Sequence, residues 1–242
     1  MQIRAVSFDF WQTLFTESSD AFRFYAKRRR ELLADALAGY GSFSPTQIQE
    51  ACRIEAESFD LVWRQQHRTL LVNERLGTIL GHLDVCLPDN VTVELARGYE
   101  EGLLERPPVL IPGAREAVER LSGRYRLGII SDVGFSPGRV LRQVLQDTGL
   151  IDAFDSLVFS DEAGFSKPHL EVFRQTGHTL DCQPDEMVHV GDLEHSDIVG
   201  AKRAGCRAIR FTGITPMDEE ETTAADRVSS SMSAVPEIIA AL

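Results

Sequence analysis

Short apolar runs that end in polar residues recur along the chain. The first covers residues 3–8 and stops at Asp9. A run of about four to eight apolar residues between polar ones is typical of a strand buried in a parallel sheet. Runs of the same kind predict further strands at 126–130, 156–159, 187–190 and 207–211, and a short last strand near 227–228.

Helical periodicity fills the long interval after the first run. From about residue 21 to residue 105, apolar residues recur at the spacing of amphipathic helices. Ser44-Pro45-Thr46-Gln47 combines capping-box residues with Pro at the first helical position, so we expect a helix to begin there. Further helices are predicted at about 68–80 and 92–104. The interval is therefore predicted to be an all-α insertion.

The rest of the chain alternates between strands and helices. Pro107-Pro108 and Pro112-Gly113 mark the end of the insertion, because tandem prolines cannot continue a helix. Strands that alternate with helices indicate parallel βαβ units with right-handed crossovers. The helices are predicted at 115–121, after Ser136-Pro137, at 170–177, at 196–204 and from Pro236.

We therefore predict an α/β fold with two domains. Residues 1–16 and 107–242 form a Rossmann-like parallel sheet flanked by helices, and residues 17–106 form an inserted all-α domain. The length of 242 residues, 43% of them hydrophobic, is sufficient for a full core and favours one large domain with a smaller one inserted.

Composition narrows the setting in which the protein works. The chain has no apolar stretch of about 18 residues, and its N-terminus lacks a basic segment followed by an apolar run. We therefore expect neither a membrane span nor a signal peptide, and a soluble protein of the cytoplasm. Four scattered cysteines without Cys-x-x-Cys spacing predict reduced thiols rather than zinc or redox chemistry.

The chain is strongly acidic. A formal net charge of −12 argues against sequence-independent nucleic-acid binding, which requires Lys and Arg to neutralise phosphates. The one basic cluster is Lys27-Arg28-Arg29-Arg30. It is either the solvated face of a helix or a group that attracts an anionic substrate toward a site. The acidic segment 217–225 is predicted to be a solvated loop.

Polar residues follow several of the predicted strands. Asp9 ends the first, and in open α/β sheets ligands bind beyond the carboxyl ends of the strands. Each of these residues alone has an ordinary structural explanation, such as a helix cap or a turn. Their combination at one edge of the sheet predicts a functional site. The other members are Ser131-Asp132 after the second run, Lys167-Pro168 after the third, and Gly191-Asp192 after the fourth with Asp197 beyond it.

In the type and order of these motifs the chain resembles the haloacid dehalogenase superfamily over nearly its whole length. Members have a strand-end Asp, a Ser or Thr, a Lys, and a Gly-Asp pair with a second Asp beyond. The resemblance implies a Mg²⁺-dependent phosphohydrolase that acts on a small phosphorylated metabolite through an aspartyl phosphate. It also implies that the all-α insertion is a helical cap domain, which would set substrate specificity.

The resemblance assigns roles to individual residues. Asp9 would be the nucleophile and Lys167 its catalytic partner, while Ser131, Asp132 and Lys167 would surround the phosphate. Carboxylate and carbonyl oxygens suit Mg²⁺. Its ligands would be Asp9, the backbone carbonyl of Trp11 and Asp192, with Asp197 either a fourth ligand or a residue that supports the ligands.

Trp11 departs from the family pattern. Phosphatases of the superfamily have an Asp at this position, which protonates the leaving group and is worth about 10² to 10⁴ in rate. An indole N–H does not titrate and cannot take that role. Another group, such as Glu17, His195 or a cap side chain, would have to serve, or the substrate would have to leave without a proton.

Two further readings remain open. The first is hydrolytic 2-haloacid dehalogenation, in which Asp9 displaces halide from carbon and no proton is needed. The dehalogenases that the chain resembles lack the Gly-Asp metal motif, which Gly191-Asp192 supplies here. The second is a catalytically impaired member of the fold that binds a partner or a phosphorylated ligand.

The cap offers candidate substrate contacts. Trp63, Arg64 and Arg68 bring an aromatic ring and two anion-binding groups within a short stretch, although a core Trp with surface charges would look the same. His189 has no partner that the sequence identifies. The expected partner of the protein is a small phosphorylated substrate, with neither nucleic acid nor membrane, and the protein is either a monomer or a homodimer.

Overall fold

A parallel sheet of six strands organises the computed structural model, which describes residues 2–218 and 221–242. Its strands are β1 Ala5–Phe8, β4 Arg126–Ser131, β5 Ser156–Phe159, β6 Met187–Gly191, β7 Arg207–Phe211 and β8 Arg227–Ser229. Across the sheet they lie in the order β5-β4-β1-β6-β7-β8. A separate antiparallel ribbon joins β2 Phe15–Thr16 to β3 Val109–Leu110.

The first strand lies at the centre of this sheet. All four residues of β1 are buried, as expected for a strand that is covered on both faces. Phe8 pairs with Ile129 of β4 on one side and with Val190 of β6 on the other. The carboxyl ends of β1, β4 and β6 therefore meet at one edge, where the polar residues predicted from the sequence follow.

Four helices lie between β2 and β3, and we call them the cap helices. They are α1 Ser19–Leu37, α2 Pro45–Gln66, α3 Val72–His82 and α4 Asp89–Glu101. The predicted capping box is present at the start of α2: the Gln47 N–H donates to Ser44 Oγ at 3.3 Å, and the Ser44 N–H donates to Gln47 Oε1 at 2.9 Å.

The third cap helix begins later than the sequence predicts. The expected start was near Arg68, whereas α3 begins at Val72. The Leu71 N–H donates to the Glu74 carboxylate at 2.8 Å, which fixes the helix start there. The preceding Thr69 hydroxyl is buried and bonds to Ser160 at 2.6 Å, which holds this segment extended against the sheet region.

The helices beyond the insertion flank the sheet. They are α5 Ala114–Ser122, α6 Gly138–Asp147, α7 Ser160–Ala163, α8 Leu170–Thr179, α9 Val199–Arg203 and α10 Val235–Ala240. The helix predicted at 196–204 is divided, because Glu194–Ile198 forms a π-helical turn before α9 begins. Gly205 follows α9 at a φ of +89°, the left-handed position that ends a helix. The observed architecture confirms the predicted Rossmann-like α/β fold.

Hydrophobic side chains form separate clusters in the sheet region and among the cap helices. The cap cluster includes Leu33, Leu76, Ile79 and Tyr99. Phe135, from the loop after β4, packs against this cluster and so joins the two regions. The division into domains at 16/17 and 106/107 stays a prediction.

Two other predictions from the sequence are the lack of a membrane span and a solvated acidic loop. No helix in the described parts of the chain combines the length and the apolar surface that crossing a bilayer requires. The predicted acidic loop 217–225 includes Glu219 and Glu220, which lie outside the described residues. Within that segment Glu221 forms an ion pair with Arg210 at 2.6 Å.

Candidate active site

Three buried carboxylates gather at the edge where β1 and β6 end. Asp9, Asp192 and Asp197 each place one oxygen atom within 4.8 Å of the others. The backbone explains this convergence, since the Asp9 N–H donates to the Val190 carbonyl at 2.9 Å and thereby continues the ladder between the two strands. The structure thus brings together the carboxylates that the sequence motifs predicted.

The glycine of the Gly-Asp pair is required by packing. A Cβ atom on Gly191 would lie 2.4 Å from Cγ of Asp197, a distance that atoms do not tolerate. Only a residue without a side chain therefore lets the Asp197 carboxylate lie against β6. The π-helical turn that carries Asp197 brings its side chain back toward this strand.

Lys167 connects two of the carboxylates. Its ammonium Nζ lies 2.6 Å from Asp9 Oδ1 and 2.6 Å from Asp197 Oδ1, and the side chain is buried. Burial opposes its charge, but the attraction of Asp197 and Asp9 outweighs burial and raises the pKa of Lys167. Lys167 is therefore a fixed cation beside the predicted nucleophile.

One ammonium does not balance the negative charge of the cluster. Burial raises the pKa of Asp9 well above its usual range, against the opposing effect of Lys167. Burial and the charge of Asp197 raise the pKa of Asp192 to about 6. A second cation would relieve this repulsion, and an all-oxygen donor set of this kind suits Mg²⁺. The residues present therefore fit a magnesium ion.

The Asp197 carboxylate is occupied by protein donors. Its Oδ1 accepts hydrogen bonds from Lys167 and from His189 Nε2, the latter at 3.2 Å. Its Oδ2 accepts the Leu193 N–H at 2.9 Å. Of the two roles predicted for Asp197, this geometry favours the one that supports the ligands.

His189 belongs to this network, although no partner for it could be identified from the sequence. Burial lowers the pKa of His189, so its ring is neutral. With Asp197 accepting from Nε2, the Nδ1 atom is an acceptor, and it lies 2.9 Å from the Ser7 hydroxyl. A signal was available: Ser7 and His189 are polar residues in buried strands, and they stand opposite each other in the β1–β6 register.

Ser131 and Asp132, which were predicted to surround the phosphate, make hydrogen bonds within the protein. Ser131 is buried, and its hydroxyl donates to the Asp132 carbonyl at 3.1 Å instead of facing the cavity described below. Asp132 Oδ1 accepts the Lys167 N–H at 2.9 Å, and Oδ2 accepts the Trp63 indole N–H at 2.8 Å. Asp132 therefore holds the Lys167 backbone and the cap together, and both of its oxygens are engaged.

A cavity of about 600 Å³ opens beside the carboxylates. Asp9, Asp132, Lys167, Asp192 and Asp197 line one part of it. Its remaining wall combines cap helices with loops of the sheet region and includes six aromatic residues together with the charged residues Glu17, Arg29 and Asp60. The aromatic lining residues are Trp11, Phe22, Tyr25, Phe59, Trp63 and Phe135.

Of the three substrate contacts predicted in the cap, one lies at the cavity and two do not. Trp63 lines the cavity, but Arg64 and Arg68 do not. The Arg64 guanidinium pairs with Asp60 at 2.8 Å, and that of Arg68 pairs with Glu74 at 2.8 Å. Arg64 is exposed on α2, and Arg68 is half-buried in the segment between α2 and α3; the structure brings neither to the candidate site.

Trp11 forms part of the cavity wall. Its ring packs edge-on against Phe10, with ring centroids 4.9 Å apart. Glu17 lines the same cavity, and burial raises the pKa of its carboxyl group. His195 packs edge-on against Trp63 outside the lining residues. Of the two alternative proton donors named from the sequence, Glu17 is thus the one that faces the cavity.

Curated relatives share part of the chain. Glyceraldehyde 3-phosphate phosphatase of Pyrococcus furiosus is 35% identical over 102 residues, which cover 42% of this chain and 41% of that protein. Pyrimidine 5'-nucleotidase YjjG of Escherichia coli is 40% identical over 102 residues, which cover 39% of this chain and 41% of that protein. The chain thus matches about two fifths of the length of each relative.

Similarity to a solved structure extends over the whole chain. A 2-haloacid dehalogenase from Pseudomonas syringae pv. Tomato superposes with a TM-score of 0.75 at 23% identity, covering 99% of both chains. At this identity the likeness shows a shared fold. Residues 3–205 also match the family described as haloacid dehalogenase-like hydrolase, in agreement with the resemblance seen in the motifs. The chain therefore belongs to the haloacid dehalogenase-like hydrolases.

Proposed function

We propose that the protein is a Mg²⁺-dependent phosphohydrolase that acts on a small phosphorylated metabolite through an aspartyl phosphate on Asp9. The observation that carries this proposal is the buried cluster in which Lys167 bridges Asp9 and Asp197 while Asp192 remains close to both. Phosphoryl transfer depends mainly on positioning and on neutralising the charge of the phosphate. Asp9 and Lys167 would position the phosphate, and Lys167 together with a Mg²⁺ ion held by the carboxylates would neutralise its charge.

The reaction would proceed in two displacements. An Asp9 carboxylate oxygen forms a bond to phosphorus while the ester bond to the leaving oxygen breaks, and that oxygen departs with the bonding electrons. Water then attacks phosphorus in the aspartyl phosphate, which releases inorganic phosphate and restores Asp9. A covalent intermediate of this kind divides one difficult displacement into two easier ones.

Each charged residue has a defined part in these steps. Lys167 keeps Asp9 oriented and adds positive charge beside the phosphate. Asp9 and Asp192, with the Trp11 carbonyl, would hold Mg²⁺, which supplies positive charge to the phosphoryl oxygens. Asp197 would fix Lys167 and the Leu193 backbone, as its hydrogen bonds indicate.

The proton for the leaving group is the unusual part of the proposal. Trp11 fills the position of the family's acid, and of Glu17 and His195 only Glu17 lines the cavity. Without an efficient donor, substrates with acidic leaving groups would react best. Acyl phosphates and aryl phosphates are of this kind.

The relatives support the phosphatase reading. The two curated relatives described above are named as a phosphatase of glyceraldehyde 3-phosphate and a 5'-nucleotidase of pyrimidines, and both names describe removal of phosphate from small molecules. These names support the reaction class, and the proposal does not extend the substrates of these relatives to this chain.

A second candidate function is hydrolytic dehalogenation of 2-haloacids. Trp11 favours it, because halide leaves from carbon without a proton and an aromatic wall suits an apolar substrate. The carboxylate cluster with Gly191-Asp192 argues against it, since displacement of halide needs no divalent cation. A catalytically impaired binding protein is a third reading, which the nearly complete motif set disfavours.

An activity panel separates these functions. Phosphate monoesters, acyl phosphates and 2-chloro acids should be tested with Mg²⁺ and with a chelator. The proposal predicts phosphate release that requires Mg²⁺. Chloride release that survives chelation would establish the dehalogenase function instead, and no turnover of any class would support the binding protein.

A further inference from the structure

The basic run in α1 is split by the helix into exposed residues and one residue that faces inward. Lys27 pairs with Glu31 at 3.4 Å, and Arg28 pairs with Glu105 at 2.9 Å. Arg30 is exposed, whereas Arg29 lines the cavity beside the candidate site. The solvated-face reading therefore suits most of the run, and Arg29 is the exception.

Arg29 lies in the cavity without a partner for its charge. Its guanidinium carbon is 4.3 Å from the centroid of the Phe135 ring. Among residues 2–218 and 221–242 it makes neither an ion pair nor a side-chain hydrogen bond, although a guanidinium carries five N–H donors. Burial, followed by the like charge of Arg75, lowers the pKa of Arg29, so its surroundings in the protein penalise the cation.

Arg75 provides the internal comparison. Its guanidinium lies over the same Phe135 ring at 3.4 Å, but it is buried and paired with Glu55. The fold thus supplies a carboxylate to one of the two arginines at this ring and none to the other. Arg29 is half-buried, so water can reach its guanidinium in the cavity. A ligand that fills the cavity would replace this water as the partner of Arg29.

Arg29 and Asp9 are in different electrostatic surroundings. The charged groups that act on Arg29 are Arg75, Glu55 and Glu17, which lie in or next to the cap helices. Those that act on Asp9 are Lys167, Asp197 and Asp192. The cavity lining also contains the aromatic residues Phe59 and Trp63, and Asp60, which is paired with Arg64.

We propose that Arg29 binds a second anionic oxygen group of the substrate, such as a carboxylate, on the cavity wall outside the cluster around Asp9. The substrate would then be a phosphate ester or acyl phosphate with an apolar or aromatic body between two negatively charged ends. A guanidinium stacked on an aromatic face presents its N–H edge to such a group. This inference rests on the proposed function, because it assumes that the phosphate is bound near Asp9.

Glu17 lies near Arg29 on the cavity wall. Its carboxyl group is close enough for Arg29 to oppose the rise in its pKa, yet the two side chains form no ion pair within 4 Å. A substrate anion would therefore not displace an existing salt bridge in order to reach Arg29. The site for the second anion is open to a ligand.

The test compares two aryl phosphates of the same size, 4-carboxyphenyl phosphate and 4-carbamoylphenyl phosphate, with Mg²⁺ present. The natural protein should prefer the carboxylate ester in kcat/KM by about 10- to 100-fold, as expected for hydrogen bonds to a charged group. Arg29→Met should abolish the preference, mainly through KM. Arg29→Lys should retain part of it, which a purely structural effect would not produce.

Arg30→Met is the matched control. It removes the same charge from the neighbouring position of the same helix, but outside the cavity, and should leave the preference unchanged. Because the intrinsic reactivities of the two esters are the same for every variant, the ratio of preferences between variants isolates Arg29. A preference that survives in Arg29→Met, or one lost equally in Arg30→Met, would overturn the proposal.

Binding of non-hydrolysable compounds separates this proposal from the function on which it rests. Calorimetric titration with 4-phosphonobenzoate and its 4-carbamoyl analogue requires no turnover. If the natural protein hydrolyses neither ester, the proposed function fails. A charge-dependent affinity that Arg29→Met removes would still establish the second anion site, and equal affinity for both compounds would eliminate it.

Discussion

The indole Nε1 of Trp63 donates a hydrogen bond of 2.8 Å to Oδ2 of Asp132. Trp63 belongs to cap helix α2, and Asp132 follows β4 in the sheet region. Because the other oxygen of Asp132 accepts the backbone N–H of Lys167, one carboxylate links the cap to the segment that carries Lys167. The position of the cap is thereby coupled to the geometry beside Asp9.

This link should be measurable in a double-mutant cycle. Trp63→Phe keeps an aromatic ring and removes the N–H donor, while Asp132→Asn removes the charge of the acceptor. Urea unfolding of both single variants and the double variant should give a coupling energy of about 1 to 3 kcal/mol, typical of a hydrogen bond to a charged group. A coupling energy near zero would mean that the bond does not hold the cap in solution.

Asp192→Asn should remove metal-dependent activity. If Asp9 and Asp192 hold Mg²⁺, losing one carboxylate ligand should lower Mg²⁺-dependent phosphate release by at least about 100-fold. Calorimetry should show the loss of Mg²⁺ binding, and circular dichroism should show an intact fold. Equal activity of the natural protein with and without chelator would contradict the magnesium site.

The residue at position 11 should determine how the rate depends on the leaving group. With Trp11, the logarithm of the rate should fall steeply as the leaving-group pKa rises, provided that formation of the aspartyl phosphate limits turnover. Trp11→Asp should flatten this dependence and raise the rate on alkyl phosphates by on the order of 10²-fold. Trp11→Asn introduces a side chain of the same size as Asp that does not titrate, so this variant should keep the steep dependence.

A shallow dependence in the natural protein would have a different meaning. Another residue would then already supply the proton, and Glu17 is the candidate on the cavity wall. In that case Glu17→Gln should make the dependence steep without Trp11 being changed.

Glu17 should also affect stability in a pH-dependent manner. Burial raises its pKa in the folded protein above the ordinary value of 4.5, so the folded state binds this proton more tightly than the unfolded state does. Its contribution to the free energy of unfolding is therefore present below 4.5 and is lost as pH rises through the folded pKa. Glu17→Gln should lack this loss, so it should gain stability relative to the natural protein as pH increases.

Urea unfolding at a series of pH values checks this sign. Glu94→Gln provides the control, because Glu94 is exposed on cap helix α4. A Glu17→Gln difference that does not change with pH, or that shrinks as pH rises, would contradict the stated environment of Glu17.

Limited proteolysis should test the predicted division of the chain. If residues 17–106 form a separate domain, the first cuts should fall near 16–20 and 106–112. Residues 104–107 are exposed and stand just outside the ribbon in which Thr16 pairs with Val109, so this side should be cut first. Initial cleavage inside the sheet region would argue against the division.

The sequence was sufficient to predict the residues that the backbone alone positions. Asp9 and Asp192 follow neighbouring parallel strands, and strand ends necessarily converge at one edge. Periodicity likewise identified the cap helices, because their apolar stripes are regular. These features depend on local pattern and on rules of connection that hold for any parallel sheet.

Features that depend on side-chain packing were not predictable in this way. Arg64 and Arg68 could not be told apart from Arg29 in sequence. Their ion pairs with Asp60 and Glu74, and the position of Arg29 on the cavity wall, depend on how the chain folds around them. Ser131 follows a strand as expected, but the turn of the chain directs its hydroxyl to the Asp132 carbonyl. Asp132 was expected near the phosphate, and its pairing with Trp63 required the relative placement of cap and sheet.

The central position of β1 affects how the protein is made. This strand is synthesised long before its sheet partners, which are residues 126–129 and 187–190. At a synthesis rate of about 5 to 20 residues per second, the nascent strand would wait roughly 6 to 24 s for the nearer partner. During that interval an apolar segment ending in Asp9 is open to chaperones or to misassembly, while the cap helices, whose contacts are more local, are already able to fold.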